Sequence, residues 1–191
     1  MLTLIAFAAA LVSQTAGAAP DQDGPIVTAR ATTESTSELK LREALAYSNP
    51  LPRGAPTQDY PLVAWCDALV SGHVALGETL TDRNPEDLDI IRLGRLEASD
   101  FRSALASAES RQPAATKAAA REAAAAATAR WTPLLAQTDE AARSQAFGLF
   151  FGLPGRCEHA ARRIRANITT PPATPADVGL VSAEETAPTG N

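Results

Sequence analysis

The stretch PLVAWCDALVSGHVALGETL, residues 61–80, decides the fold. Leu62, Cys66, Leu69, His73, Leu76 and Leu80 recur in it at spacings of 4, 3, 4, 3 and 4. That period places all six on one stripe of an α-helix, because residues three and four apart are neighbours on a helix surface. Proline is favoured at the first helical position. The helix is therefore expected to start near Pro61, with Asp59 or Tyr60 in the cap region.

Working toward the C-terminus, Asn84-Pro85-Glu86-Asp87 is a second helix start. Asparagine caps, proline suits the first turn, and the two acids sit at the positive end of the helix dipole. This helix is expected to reach about Ser110. Leu88, Ile91, Ala98, Phe101, Leu105 and Ala108 form its apolar face, which Arg95 interrupts, and Ser99-Asp100 marks a candidate bend. Residues 113–131 are nearly an alanine rod. Alanine has the highest helix propensity, but each side chain buries little area. The rod must therefore pack very closely or act as a partly exposed spacer, with Trp131 as its one large anchor.

Pro133 is expected to break or kink the chain. A fourth helix follows, starting afresh at Thr138 and running to about Phe151. Phe147, Leu149, Phe150, Phe151 and Leu153 surround more than one face, which reads as deep burial. Gly148 and Gly152 would admit a close partner helix. After the turn at Leu153-Pro154-Gly155, a last helix to Ile168 carries Cys157, Ala161, Ile164 and Ile168 on one stripe. No period-two alternation bounded by turns appears, so strands are not expected. The fold class is all-α: a small bundle of four to five helices over residues 58–168, mostly antiparallel because several connections are short.

The flanks read differently. Residues 2–12 are an uncharged apolar run, followed by Ala16-Gly17-Ala18. A short apolar core with small residues before a cut is the signal-peptide pattern, and cleavage after Ala18 fits it. The run is only about half the roughly 20 residues that a membrane-spanning helix needs. Residues 19–57 are expected to be a mostly disordered linker, broken by proline and glycine clusters. Ser35 and Glu38 form a possible capping box ahead of a short helix over 37–47. Residues 169–191 read as a disordered, acidic tail rich in proline and threonine. The chain is thus expected in the periplasm or secreted, with no transmembrane segment once the signal is removed.

A net charge of −5 argues against a nucleic-acid partner, whose phosphates require a clustered basic surface. Residues 59–110 hold ten acids and four bases, and residues 111–168 nine bases and four acids. These halves are expected to pack together and neutralise. Arg156, Arg162, Arg163 and Arg165 cluster on the last helix, where a solvated face near its C-terminus explains them better than an anionic partner or a lipid surface.

The chain has two cysteines. In an oxidising compartment an even count favours a disulfide, and Cys66 and Cys157 both lie on core-facing stripes that can meet. A zinc site from two Cys and two His is disfavoured. His159 is two residues from Cys157, roughly 200° around the helix, and is expected to face solvent. No metal and no cofactor are therefore assigned. No phosphate loop, nucleophile elbow or Ser-x-x-Lys motif is present, so no catalytic residue is assigned either.

His73 is the polar residue on the strongest apolar stripe and the first place to look for a binding site. The plain expectation is a core histidine bonded to a neighbouring helix. Gly72 and Gly77 flank it and would let a second helix or a ligand approach. Three functions follow in order. The first is a non-catalytic helical protein of the bacterial cell envelope, acting through contacts with an unknown protein partner. The second is a carrier of a small apolar ligand held near His73 and the Phe147–Phe151 cluster, which requires a cavity there. The third is an unrecognised enzyme, which requires a carboxylate within hydrogen-bond reach of His73.

Overall fold

Ser35, Asn84 and Asp139 cap three helix starts in the computed structural model, which describes residues 35–150 and 152–180. Six α-helices follow in order: α1 Thr36–Ser48, α2 Asp59–Glu78, α3 Pro85–Ala108, α4 Ala114–Leu135, α5 Glu140–Gly148 and α6 Arg156–Arg165. Two 3-10 turns, Glu109–Arg111 and Ala176–Val178, complete the described residues, which contain no strand. No helix among them is long and apolar enough to cross a membrane. The signal-peptide reading of residues 1–18 and the tail beyond Leu180 lie outside the described residues.

The central element is α2. It carries the expected stripe, but Val63, Trp65, Val70 and Val74 are buried as well. It is enclosed on most of its circumference because α3, α4 and α6 all pack on it, with α5 against its C-terminal half. The disulfide between Cys66 and Cys157 ties α2 to α6, with the two Cα atoms 6.2 Å apart. Both sulfurs sit in the single apolar core, as the two stripes anticipated.

At the start of α3, Asn84 accepts from the Asp87 amide and the Asp87 carboxylate accepts from the Asn84 amide. This helix runs unbroken through Ser99 and Asp100. Its buried face is Ile91, Gly94, Ala98, Phe101, Ala104 and Ala108. Leu88, assigned to that face from sequence, is 52 % exposed. Arg95, the interruption, reaches out to Glu78.

The alanine rod α4 lies along α2, burying Ala120, Ala127 and Trp131. Close approach comes from glycine on the partner helix. A Cβ at Gly72 would lie 2.0 Å from Trp131 Cδ1, so the indole occupies the space a side chain would need. Gly77 does the same for Phe147 and Ile91. Gly72→Ala is therefore expected to lower stability by about 1–2 kcal/mol. Overpacking against a rigid ring exceeds the roughly 1 kcal/mol of helix propensity gained. Urea denaturation checks it, and a Gly72→Ala protein as stable as the parent would show that the indole can move aside.

Pro133 does not break α4 where expected. It lies in the last turn, where its missing donor removes one intrahelical bond, and the helix ends two residues later. Helix α5 starts one residue later than read, with Asp139 rather than Thr138 as cap. It also stops at Gly148, so Leu149 is exposed rather than deeply buried. A Cβ at Gly148 or Gly152 would meet nothing within 4 Å, so neither serves a helix contact. Phe151 lies outside the described residues. Helix α6 ends earlier than Ile168. Asn167 takes a left-handed φ of 52°, and the Ile168 amide returns to the Arg163 carbonyl, a Schellman stop.

The helical unit is wider than residues 58–168. The Ser35–Glu38 capping box forms, and α1 packs on α6. It docks through charge rather than an apolar stripe, so periodicity alone does not show it. Arg163 of α6, 4 % exposed, is the hub. It donates to Glu43 at 2.9 Å, to Asp59 at 3.0 Å and to the Thr170 carbonyl. Tyr47 donates to the same Asp59 at 2.7 Å, and Arg156 lies over the Tyr47 ring. Arg162 reaches Glu43, and Arg165 pairs with Asp100. The arginine cluster read as a solvated face is thus largely turned to internal partners.

The proline-rich segment before α2 is pinned by arginines of α4 and α6. Arg130 donates to the Arg53 carbonyl and Arg156 to that of Thr57. Residues 169–180, part of the expected tail, return through the Ala176–Val178 turn to lie against α1.

Candidate functional site

Helix α2 places His73 on its buried side, 5 % exposed. Its Nε2 lies 2.9 Å from the Phe147 carbonyl. A carbonyl only accepts, so Nε2 carries the proton of the neutral ring and donates. Phe147 stacks on the imidazole at 4.4 Å, Phe150 lies at 4.4 Å and Trp131 at 5.9 Å. Burial in this aromatic nest holds the His73 pKa below its usual range, partly offset by the Phe147 carbonyl. The bonded core histidine expected from sequence is what the fold contains. No carboxylate among the described residues bonds to the ring.

His73 also reaches a cleft of about 760 Å³. Val70 and His73 of α2 form one wall. Ile90, Leu93 and Glu97 of α3 form another. Phe150 and the turn through Leu153 and Pro154 close a third side, and Cys157 and Glu158 of α6 complete it. The cleft exists because α5 ends at Gly148. Residues 152–155, ahead of α6, are not helical.

His159, expected in solvent, is 2 % exposed. The face opposite Cys157 is covered by α1, which the sequence reading left outside the domain. Burial depresses the His159 pKa, and Glu158, Arg162, Arg42 and Glu43 act on it as smaller, partly cancelling charges. Its Nδ1 has no hydrogen-bond partner among the described residues. His73 and His159 are not brought together, and the described residues contain no group of three His, Cys, Asp or Glu placed to hold a metal ion.

Glu97 is the residue that sequence reasoning missed. Half-buried, it has no ion-pair or hydrogen-bond partner among the described residues. Burial first, then the nearby Glu158 and Asp100, push its pKa up to about 7. The available signal was a second stripe on α3: Ile90, Leu93 and Glu97 at spacings of 3 and 4, two apolar residues and then an acid.

These groups oppose one another in pH dependence. Both histidines have lowered folded pKa values, so below the ordinary 6.5 the unfolded chain takes protons and their contribution falls. Glu97 has a raised folded pKa, so between about 7 and its ordinary 4.5 the folded chain takes the proton and stability rises with acid. Glu97→Gln is therefore expected to steepen the loss of thermal stability between pH 7 and pH 5. Parallel melting curves for parent and variant across that range would count against this assignment.

Comparison with protein-family models, with curated proteins and with solved structures finds no significant match.

Proposed function

We propose that this chain is a non-catalytic helical binding protein that works outside the cytoplasm and holds an apolar guest in the cleft beside His73. The observation that carries the reading is the cleft itself, about 760 Å³ between α2, α3, α6 and the α5–α6 connection. Its size falls within the roughly 300–1,000 Å³ of small-molecule sites, and Val70, Ile90, Leu93, Phe150 and Leu153 supply apolar walls. The extracytoplasmic setting draws support from the disulfide and from the signal-like residues 1–18. The test uses Nile red, a neutral apolar dye. Its fluorescence is expected to rise with the native protein and to rise less with Leu93→Trp, which narrows the cleft. No rise, or a rise that Leu93→Trp leaves unchanged in a folded protein, would overturn the reading.

Protein–protein contact, the first expectation from sequence, is favoured by a different observation. Leu88 and Leu96 of α3 are 52 % and 56 % exposed, two turns apart on the outer side of the helix. Crosslinking in envelope extract that depends on both leucines supports a bacterial envelope partner. A solitary monomer with no crosslinked product would argue against one.

A further inference from the structure

We propose that the guest carries a positive charge: an organic cation with an apolar body, such as an amine or quaternary ammonium compound. This deepens the cleft reading and rests on it. Four carboxylates line the cleft, Glu86, Asp89 and Glu97 from α3 and Glu158 from α6, against one guanidinium, that of Arg92. Two of the four already have partners. Asp89 pairs with Arg92 at 3.2 Å, and Glu158 with Arg42 at 2.8 Å. Glu86 and Glu97 have no counter-ion among the described residues.

Glu97 is the telling one, because it is half-buried on a face it shares with Ile90 and Leu93. A carboxylate in apolar surroundings without a counter-charge is unfavourable, and a cationic guest supplies that charge where a neutral or anionic guest does not. The rings of Phe150 and His73 add aromatic surface to the cleft, and aromatic faces attract ammonium groups. A metal ion is a poorer occupant, because these carboxylates are not gathered into a set of three that can coordinate one.

The experiment compares three guests of one shape: 1-naphthylmethylammonium, 1-naphthylmethanol and 1-naphthoate. Binding to the full chain is followed by NMR shifts of the Leu93 and Leu153 methyls. The ammonium is expected to bind about tenfold more tightly than the alcohol, and the carboxylate most weakly of the three. Glu97→Gln keeps the side-chain shape and relieves a buried charge, so the variant is expected to melt no lower than the parent at pH 8. It is expected to remove most of the ammonium preference and leave the alcohol unchanged. Equal binding of all three, tightest binding of naphthoate, or an ammonium preference that survives Glu97→Gln would overturn the cationic guest while the cleft reading stands. Methyls unmoved by any of the three would overturn both.

Discussion

Arg163→Met is expected to lower the free energy of unfolding by about 3–5 kcal/mol, the range for removing one partner of a buried ion pair. The guanidinium is the shared donor for Glu43, Asp59 and the Thr170 carbonyl, so its loss weakens all three at once and leaves Glu43 only Arg162 and Asp59 only the Tyr47 hydroxyl. Arg162 still reaches Glu43 at 3.1 Å but is less buried, and it makes no bond to Asp59. The penalty therefore lies mainly in uncompensated charge rather than in lost attraction. Adding Glu43→Gln and Asp59→Asn to Arg163→Met should recover part of the deficit, because the two carboxylates that Arg163 paired are then neutral. Urea midpoints of the single and triple variants measure this. An Arg163→Met loss below about 1 kcal/mol would mean that the network behaves like a surface ion pair.

Opening the disulfide is expected to have a comparable effect. Cys66 and Cys157 close a loop of 91 residues. The chain-entropy account gives about 4–5 kcal/mol for a loop of this size, against a total of roughly 5–15 kcal/mol for an ordinary domain. Cys66→Ala with Cys157→Ala, or reduction of the parent, should shift the urea midpoint by a large fraction of its value. The two sulfurs are buried, so reduction should be slow under native conditions and fast once denaturant opens the core. Equal midpoints with and without the bond would place the stability of the α2–α6 contact elsewhere.

The parts of the fold written in local chemistry were legible. Asn84, Pro85 and Asp87 specify the start of α3, and the spacing of Leu62, Cys66, Leu69, His73 and Leu76 specifies a buried α2. The pairing of Cys66 with Cys157 followed from two such stripes. The parts written in long-range charge were not. Helix α1 has weak amphipathicity, and its attachment depends on Glu43 meeting Arg163, 120 residues away. Without α1 the outer face of α6 reads as solvated, which misplaces both His159 and Arg163. Helix periodicity also runs too far at Phe147–Leu153, because the apolar run outweighs Gly148, the glycine at which α5 stops. The candidate site was half visible for the same reason. His73 stood out as a polar residue on an apolar stripe. Glu97 did not, because an acid on a helix is ordinary until a fold removes its water.

The alanine rod has a consequence for where this molecule opens first. Helices α2 and α6 are locked by a covalent bond, and α1 is locked to α6 by buried ions. Helix α4 has neither, and it grips α2 mainly through alanine methyls and one indole seated over Gly72. Thermal breathing should therefore begin at this wall, with its amides trading hydrogen for deuterium ahead of those in α2. Each such excursion would lift Trp131 off the imidazole of His73 and let solvent briefly into the nest, without disturbing the stapled half of the protein.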